Sequence, residues 1–215
     1  MHNKRHYSKF DRICLGVDQA LKAMFGNATT SGRAYPAQAI KESDLSIDQQ
    51  KHSAALMRVN HAGEVSAQAL YHSQGLVSRD ARVREKMEQA AIEEGDHLAW
   101  CAKRLTELGS HTSYFNPLWY TGSFVIGLTA GLVGDKWSLG FLAETENQVV
   151  KHLQQHLNLL PVQDEKSHAI LQQMQQDEAH HRDDALQAGA VALPLFVKQL
   201  MRFTSKIMVK VAYKI

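Results

Sequence analysis

Apolar residues recur along most of the chain at the three-and-four spacing of amphipathic helices. Phe10, Ile13, Val17, Leu21 and Met24 predict a helical arm over residues 8–24, whose stripe is expected to pack on the rest of the protein or on a partner. Residues 26–43 then read GNATTSGRAYPAQAIKES, which predicts a linker or an irregular wrap. A long helix is expected from Ser46 to about Val77, with Gln49 placed for a capping box. A second is expected from Asp80 to near Gly109, with Val83, Met87, Ala90, Ala91, Leu98 and Leu105 as its core stripe. A third spans about Lys136 to Leu160, and a fourth about Gln163 to Ala188.

Two stretches depart from this pattern. Residues 112–134, TSYFNPLWYTGSFVIGLTAGLVG, carry no charge and approach the length of a membrane span. Pro117 and four glycines interrupt the run, and a span would put the second and third helices on opposite sides of a membrane. It is therefore expected to be a crossover, partly helical, that is buried or dips into an interface, with Trp119 and Tyr120 at that level. From Pro194 onward, Lys198, Arg202, Lys206, Lys210 and Lys214 recur every four residues among Leu195, Phe196, Leu200, Met201, Phe203, Ile207 and Met208. This predicts a basic amphipathic helix, suited to an anionic membrane surface or to docking on the bundle with its lysines in water.

Composition narrows the class. At 215 residues the chain is expected to hold an arm and linker (1–43), a helical bundle (44–192) and the C-terminal helix (193–215). A net charge of +2 leaves no nucleic-acid footprint. Cys14 and Cys101 are far apart and form no Cys-x-x-Cys, so a disulfide framework is not expected, and each reads as a small buried thiol. The N-terminus lacks a continuous apolar core of a cleavable signal, which makes a reducing cytoplasmic compartment the default.

The chemistry lies in a repeat. Glu64 is followed thirty residues later by Glu94-x-x-His97, and Glu146 thirty-two residues later by Glu178-x-x-His181. On two antiparallel helices such residues reach one height only if the turn lies midway. The midpoints fall at Ser78-Arg79-Asp80, which offers an N-cap, and at Leu160-Pro161-Val162-Gln163, where proline breaks a helix. Three residues of helix turn through about 300°, so each Glu-x-x-His shares one face. Glu and Glu-x-x-His taken from four helices is the ligand order of a di-iron carboxylate bundle, and four carboxylates with two imidazoles suit iron or manganese. Any one such motif is more often a pair of solvated charges; the matched set is not. Glu94 and Glu178, each one turn from a histidine, are expected to bridge, with Glu64 and Glu146 terminal. Of the neighbouring Glu93, Asp96, Asp177 and His180, none recurs as an i, i+3 pair in both halves. Asp177 and Asp184 are expected either to accept from His181 or to lie in solvent.

LMRVNHAGEVSAQALY, the two Glu-x-x-His helices and the ending MRFTSKIMVKVAYKI resemble the demethoxyubiquinone hydroxylase family over about residues 44–215. The resemblance implies an all-α, ferritin-like four-helix bundle of two antiparallel hairpins, with Glu64, Glu94, His97, Glu146, Glu178 and His181 holding two iron ions. It also suggests a role for His152. It further implies a monooxygenase that uses dioxygen to hydroxylate the ring of a demethoxy polyprenyl quinone or quinol, with NADH or the quinol as reductant. Such a protein is expected peripherally on the cytoplasmic face of a bacterial inner membrane, among other ubiquinone-biosynthesis proteins. No Gly-rich dinucleotide fingerprint is present to decide the reductant. A ferroxidase or a membrane-associated scaffold would share the bundle without the organic product.

Overall fold

The computed structural model describes residues 8–26 and 28–215, and the described residues form seven helices and no strand. They are α1 (Lys9–Phe25), α2 (Ile47–Val77), α3 (Ala81–Glu107), α4 (Asn116–Val133), α5 (Asp135–Leu159), α6 (Glu165–Gln187) and α7 (Leu195–Ala212). Ser46 caps α2, with its hydroxyl accepting from the Gln49 amide while the Gln49 side chain accepts from the Ser46 amide. Asp80 caps α3 and Asp164 caps α6, so both hairpin turns fall at the midpoints of the ligand spacing.

The bundle is a closed square. α2 pairs with α3 and α5 with α6 as hairpins. α2 also runs antiparallel to α5, because Asn60 meets His156 (2.9 Å) and Gln74 meets Ser138 (2.8 Å). α3 meets α6 through Arg104 and Ser167 (3.0 Å). Each end is tied. The Asp135 carboxylate accepts from the backbone of Arg79 and Asp80, joining the start of α5 to the first turn. At the other end the fully buried Arg104 donates to Asp164 on α6 and to Glu42 in the chain before α2.

Two apolar clusters fill the square above and below its middle. One contains Leu70, Tyr71, Val83, Met87, Leu139 and Leu142; the other contains Leu56, Met57, Trp100, Leu105, Ile170 and Met174. Each large side chain so buried stabilises the fold by about 1.5–3 kcal/mol. The whole predicted stripe of α3 is buried.

The uncharged crossover is α4, lying along α2. A Cβ on Gly127 would collide with Leu70 and Ser73 of α2, so a glycine there lets the two helices touch. No helix among the described residues is long and apolar enough to cross a membrane. The other face of α4 turns Leu118, Val125, Ile126, Leu132 and Val133 outward.

The N-terminal helix departs from expectation in which side it buries, and the C-terminal one in where part of its charge lies. α1 docks through Ala20, Ala23 and Met24, while Phe10 (72% exposed), Val17 and Leu21 face out; the Ile13 side chain lies outside the described ones. Small alanines allow closer approach to α2 than the larger stripe residues would. α7 packs Met208, Val209 and Ala212 near Val59, Ala62 and Trp119, leaving Leu195, Phe196, Leu200, Phe203 and Ile207 exposed. Its basic residues are not all solvated. Lys198 and Arg202 meet the buried Glu144 of α5 (3.0 and 4.0 Å), and only Lys206, Lys210 and Lys214 lack an ion pair among the described residues. Cys101 is buried as expected, whereas Cys14 is exposed on α1.

Candidate metal centre

Midway along the bundle, between the two apolar clusters, the repeat residues converge. Glu64, Glu94, Glu146, Glu178 and His97 are buried, and the His181 side chain is only 10% exposed. Their atoms form two overlapping groups, each within a 4.8 Å span: Glu64, Glu94, His97 and Glu178, then Glu94, Glu146, Glu178 and His181. Glu94 and Glu178 belong to both. Each directs one oxygen to each histidine: Glu94 Oε2 lies 3.0 Å from His97 Nδ1, and Oε1 lies 3.3 Å from His181 Nδ1. Glu178 places Oε1 3.3 Å from His97 Nδ1 and Oε2 3.4 Å from His181 Nδ1. Glu64 approaches His97 only (3.7 Å).

Both histidines turn Nδ1 inward and Nε2 outward to an acid on the other hairpin. His97 Nε2 lies 2.9 Å from Asp177 on α6, and His181 Nε2 lies 2.6 Å from Glu93 on α3. Each acid is itself held from one turn back, Glu93 by Gln89 (2.6 Å) and Asp177 by Gln173 (3.0 Å). Asp177 therefore takes neither expected place, since it accepts from His97 and not from His181, while Asp184 takes the second of its two, in solvent. Asp177 serves the histidine of the other hairpin, and Glu93 serves His181 instead. The physical reason is direction: facing helices put the residue before each ligand Glu opposite the partner's histidine, whereas Asp184 points away from the bundle. The pattern Gln-x-x-x-acid-Glu in both halves was the signal that could have found these acids. Asp96, buried on α3, also leaves the ligand set and binds the chain before α2, while His180 is exposed. His152 stands beside His156 (ring centroids 3.9 Å) on α5, and burial pulls it down to about 4.

The electrostatics follow from packing four carboxylates into a dry interior. Burial, reinforced by the Glu94 charge, pushes Glu64 well above the usual carboxylate range; burial and Glu178 do the same to Glu146. At Glu94, burial is outweighed by His97 and His181, which hold it well below that range, and Glu178 is lowered in the same way. Burial alone would lower His97 and His181, but the surrounding carboxylates raise both.

The donor set fits divalent metal ions. Oε1 of Glu94, Oε1 of Glu146, Oε2 of Glu178 and Nδ1 of His181 are buried with no hydrogen-bond partner, a costly state for oxygen and nitrogen donors aimed at one centre. Hard carboxylate oxygens with imidazole nitrogen and no thiolate are the chemistry of iron or manganese. Two histidines that each pass Nε2–H to an acid keep Nδ1 free to ligate.

Comparison with known proteins places the chain in a family. Residues 51–212 match the family model of ubiquinone biosynthesis protein COQ7. The chain is 54% identical over 209 residues to a 3-demethoxyubiquinol 3-hydroxylase of Nitrosococcus oceani, covering 97% of this chain and 98% of that protein. It is equally identical to one from Acinetobacter baumannii (97% and 99% covered), and 51% identical to one from Polynucleobacter necessarius (97% and 100%). The chain belongs to the ubiquinone biosynthesis protein COQ7 family.

Proposed function

We propose that this chain is a hydroxylase of ubiquinone biosynthesis, acting on the ring of a demethoxyubiquinol. In this reading Glu64, Glu94, His97, Glu146, Glu178 and His181 hold two iron ions, with Glu94 and Glu178 shared between them. The supporting observation is the pair of overlapping buried groups, each oxygen of Glu94 and Glu178 aimed at a different histidine. A ferrous pair supplies electrons and open coordination positions for activating dioxygen. Overall, a ring C–H becomes C–OH, the second oxygen atom leaves as water, and a two-electron donor of the nicotinamide or quinol class replaces the electrons used.

The protein's own part is positional. The two apolar clusters keep bulk water from the buried carboxylates, and Asp177 and Glu93 fix the imidazoles. The exposed apolar side chains of α4 and α7, with Lys206, Lys210 and Lys214 beside them, suit peripheral attachment to an anionic membrane from which a polyprenyl chain enters.

The test is Glu178→Ala assayed with a demethoxyubiquinol and dioxygen, with the quinol product read by mass spectrometry. Loss of product with the helical circular dichroism retained supports the assignment; product at the normal rate rejects it. Iron oxidation without any ring-hydroxylated product in the wild type would instead favour an iron-oxidising role.

A further inference from the structure

Between α1 and α2 the chain crosses the outer side of the metal centre, and its contacts there are specific. Asp96 accepts from the backbone amides of Ser31 (3.1 Å) and Gly32 (3.3 Å) and from the Ser31 hydroxyl. The Thr29 carbonyl presses on α3 at Gly95, where any Cβ would overlap it. Gly95 stands between Glu94 and Asp96, so this contact lies next to a shared carboxylate. Arg33 then lies 4.7 Å over the Trp100 ring and donates to Asp177. It uses the same oxygen, Oδ2, that His97 Nε2 meets. Behind the other histidine, Glu93 receives Gln89 and His181, and Arg33 reaches it only through its charge, with no hydrogen bond or ion pair between them among the described residues.

We propose that residues 28–33 form a strap whose Arg33 is a positioning residue. It acts through its hydrogen bond to Asp177 to orient His97 for the ion on that side, and reaches the His181 side only through its charge. This rests on the two-metal reading given above. An acid that accepts from a ligating histidine sets the ring's orientation and tautomer. Asp177 can do so only while its own carboxylate is fixed, and a planar guanidinium held on Trp100 and backed by Asp96 fixes it.

The test is anaerobic titration of the full chain with Co(II) alone, followed by its visible absorption. The wild type should bind two ions. In a Glu146→Ala background, which keeps only the His97-side group intact, adding Arg33→Ala should weaken binding about ten- to a hundredfold. In a Glu64→Ala background, which keeps only the His181 side, the same change should have a several-fold smaller effect, because no hydrogen bond is lost there. Arg33→Lys should restore part of the affinity. Gly95→Ala should reproduce Arg33→Ala by evicting the strap, although alanine favours helix α3 by about 1 kcal/mol over glycine, so melting of α3 would not explain it. Co(II) should also slow amide exchange at Ser31 and Gly32 in the wild type but not in Arg33→Ala. Equal weakening in both backgrounds, or none in either, overturns the strap while leaving the metal site standing. A wild type that binds no Co(II) overturns the site and the strap with it.

Discussion

The α2/α3 and α5/α6 hairpins carry the same ligands at the same heights, yet their surroundings differ. α2 and α3 are covered by α1, the 28–33 strap, α4 and the end of α7, and His97 is fully buried. α6 packs mainly on α5 and α3, and His181 keeps 10% exposure at its side chain. The acid behind each histidine is held by a glutamine one turn back, but only the acid behind His97 also takes a hydrogen bond from an arginine among the described residues. Two chemically matched halves therefore present two inequivalent groups that could hold a metal ion. Ligand identity sets which metal suits the site, and the layer outside the ligands distinguishes one position from the other.

The largest effect is expected from the residues common to both groups. Glu94→Ala or Glu178→Ala should remove both ions and abolish hydroxylation, read by iron content and product mass; an unchanged iron content would contradict the shared role. Removing a residue that belongs to one group should separate the halves. Glu64→Ala should lose the His97-side ion and Glu146→Ala the His181-side ion, each leaving about one ion per chain by metal analysis. The supporting acids come next. Asp177→Asn and Glu93→Gln should each weaken one ion by about ten- to a hundredfold, each at the histidine of the opposite hairpin.

A smaller effect comes from pH. Burial pulls His72, on α2, down to about 4, and burial with His152 and His52 pulls His156, on α5, down to about 3. In the unfolded chain both protonate near 6.5, so the unfolded state takes up more protons as pH falls below that value. Stability should be full above about pH 7, decline as pH falls through 6.5 and level off near the folded values. Between about pH 7 and about pH 5, each should contribute about 1–2 kcal/mol of loss in urea titrations of the metal-free chain. The smallest effect lies outside both halves. Replacing Lys206, Lys210 or Lys214 singly by glutamine should weaken sedimentation with anionic vesicles by about 1 kcal/mol, roughly fivefold, per residue. The same change at Lys198, which is occupied by Glu144, should matter less.

What was legible in the sequence follows from how far each signal travels along the chain. The Glu and Glu-x-x-His repeat, the capping box at Ser46 and the midway turns depend on helix rise and rotation, which are fixed locally, and the bundle follows from them. The acids behind the histidines were legible only as the repeated Gln-x-x-x-acid-Glu pattern; which histidine Asp177 and Glu93 each serve depends on the relative rotation of two hairpins, which no local spacing encodes. The strap was half legible, since an irregular wrap was one of the two readings of residues 26–43, and only its contacts decide between them. A Gly-Ser-Thr stretch reads equally as a linker until Asp96 and Asp177 are seen beneath it. The outward face of α1 also eluded periodicity, since its alanines, not its larger residues, meet α2.

The most direct measurement is anaerobic Fe(II) binding to the wild type, Glu178→Ala and Glu64→Ala, counted per folded chain. Two, none and one ion, respectively, are the expected values. A wild type that binds no iron, or a Glu178→Ala chain that still binds two, would contradict a centre built from six convergent side chains.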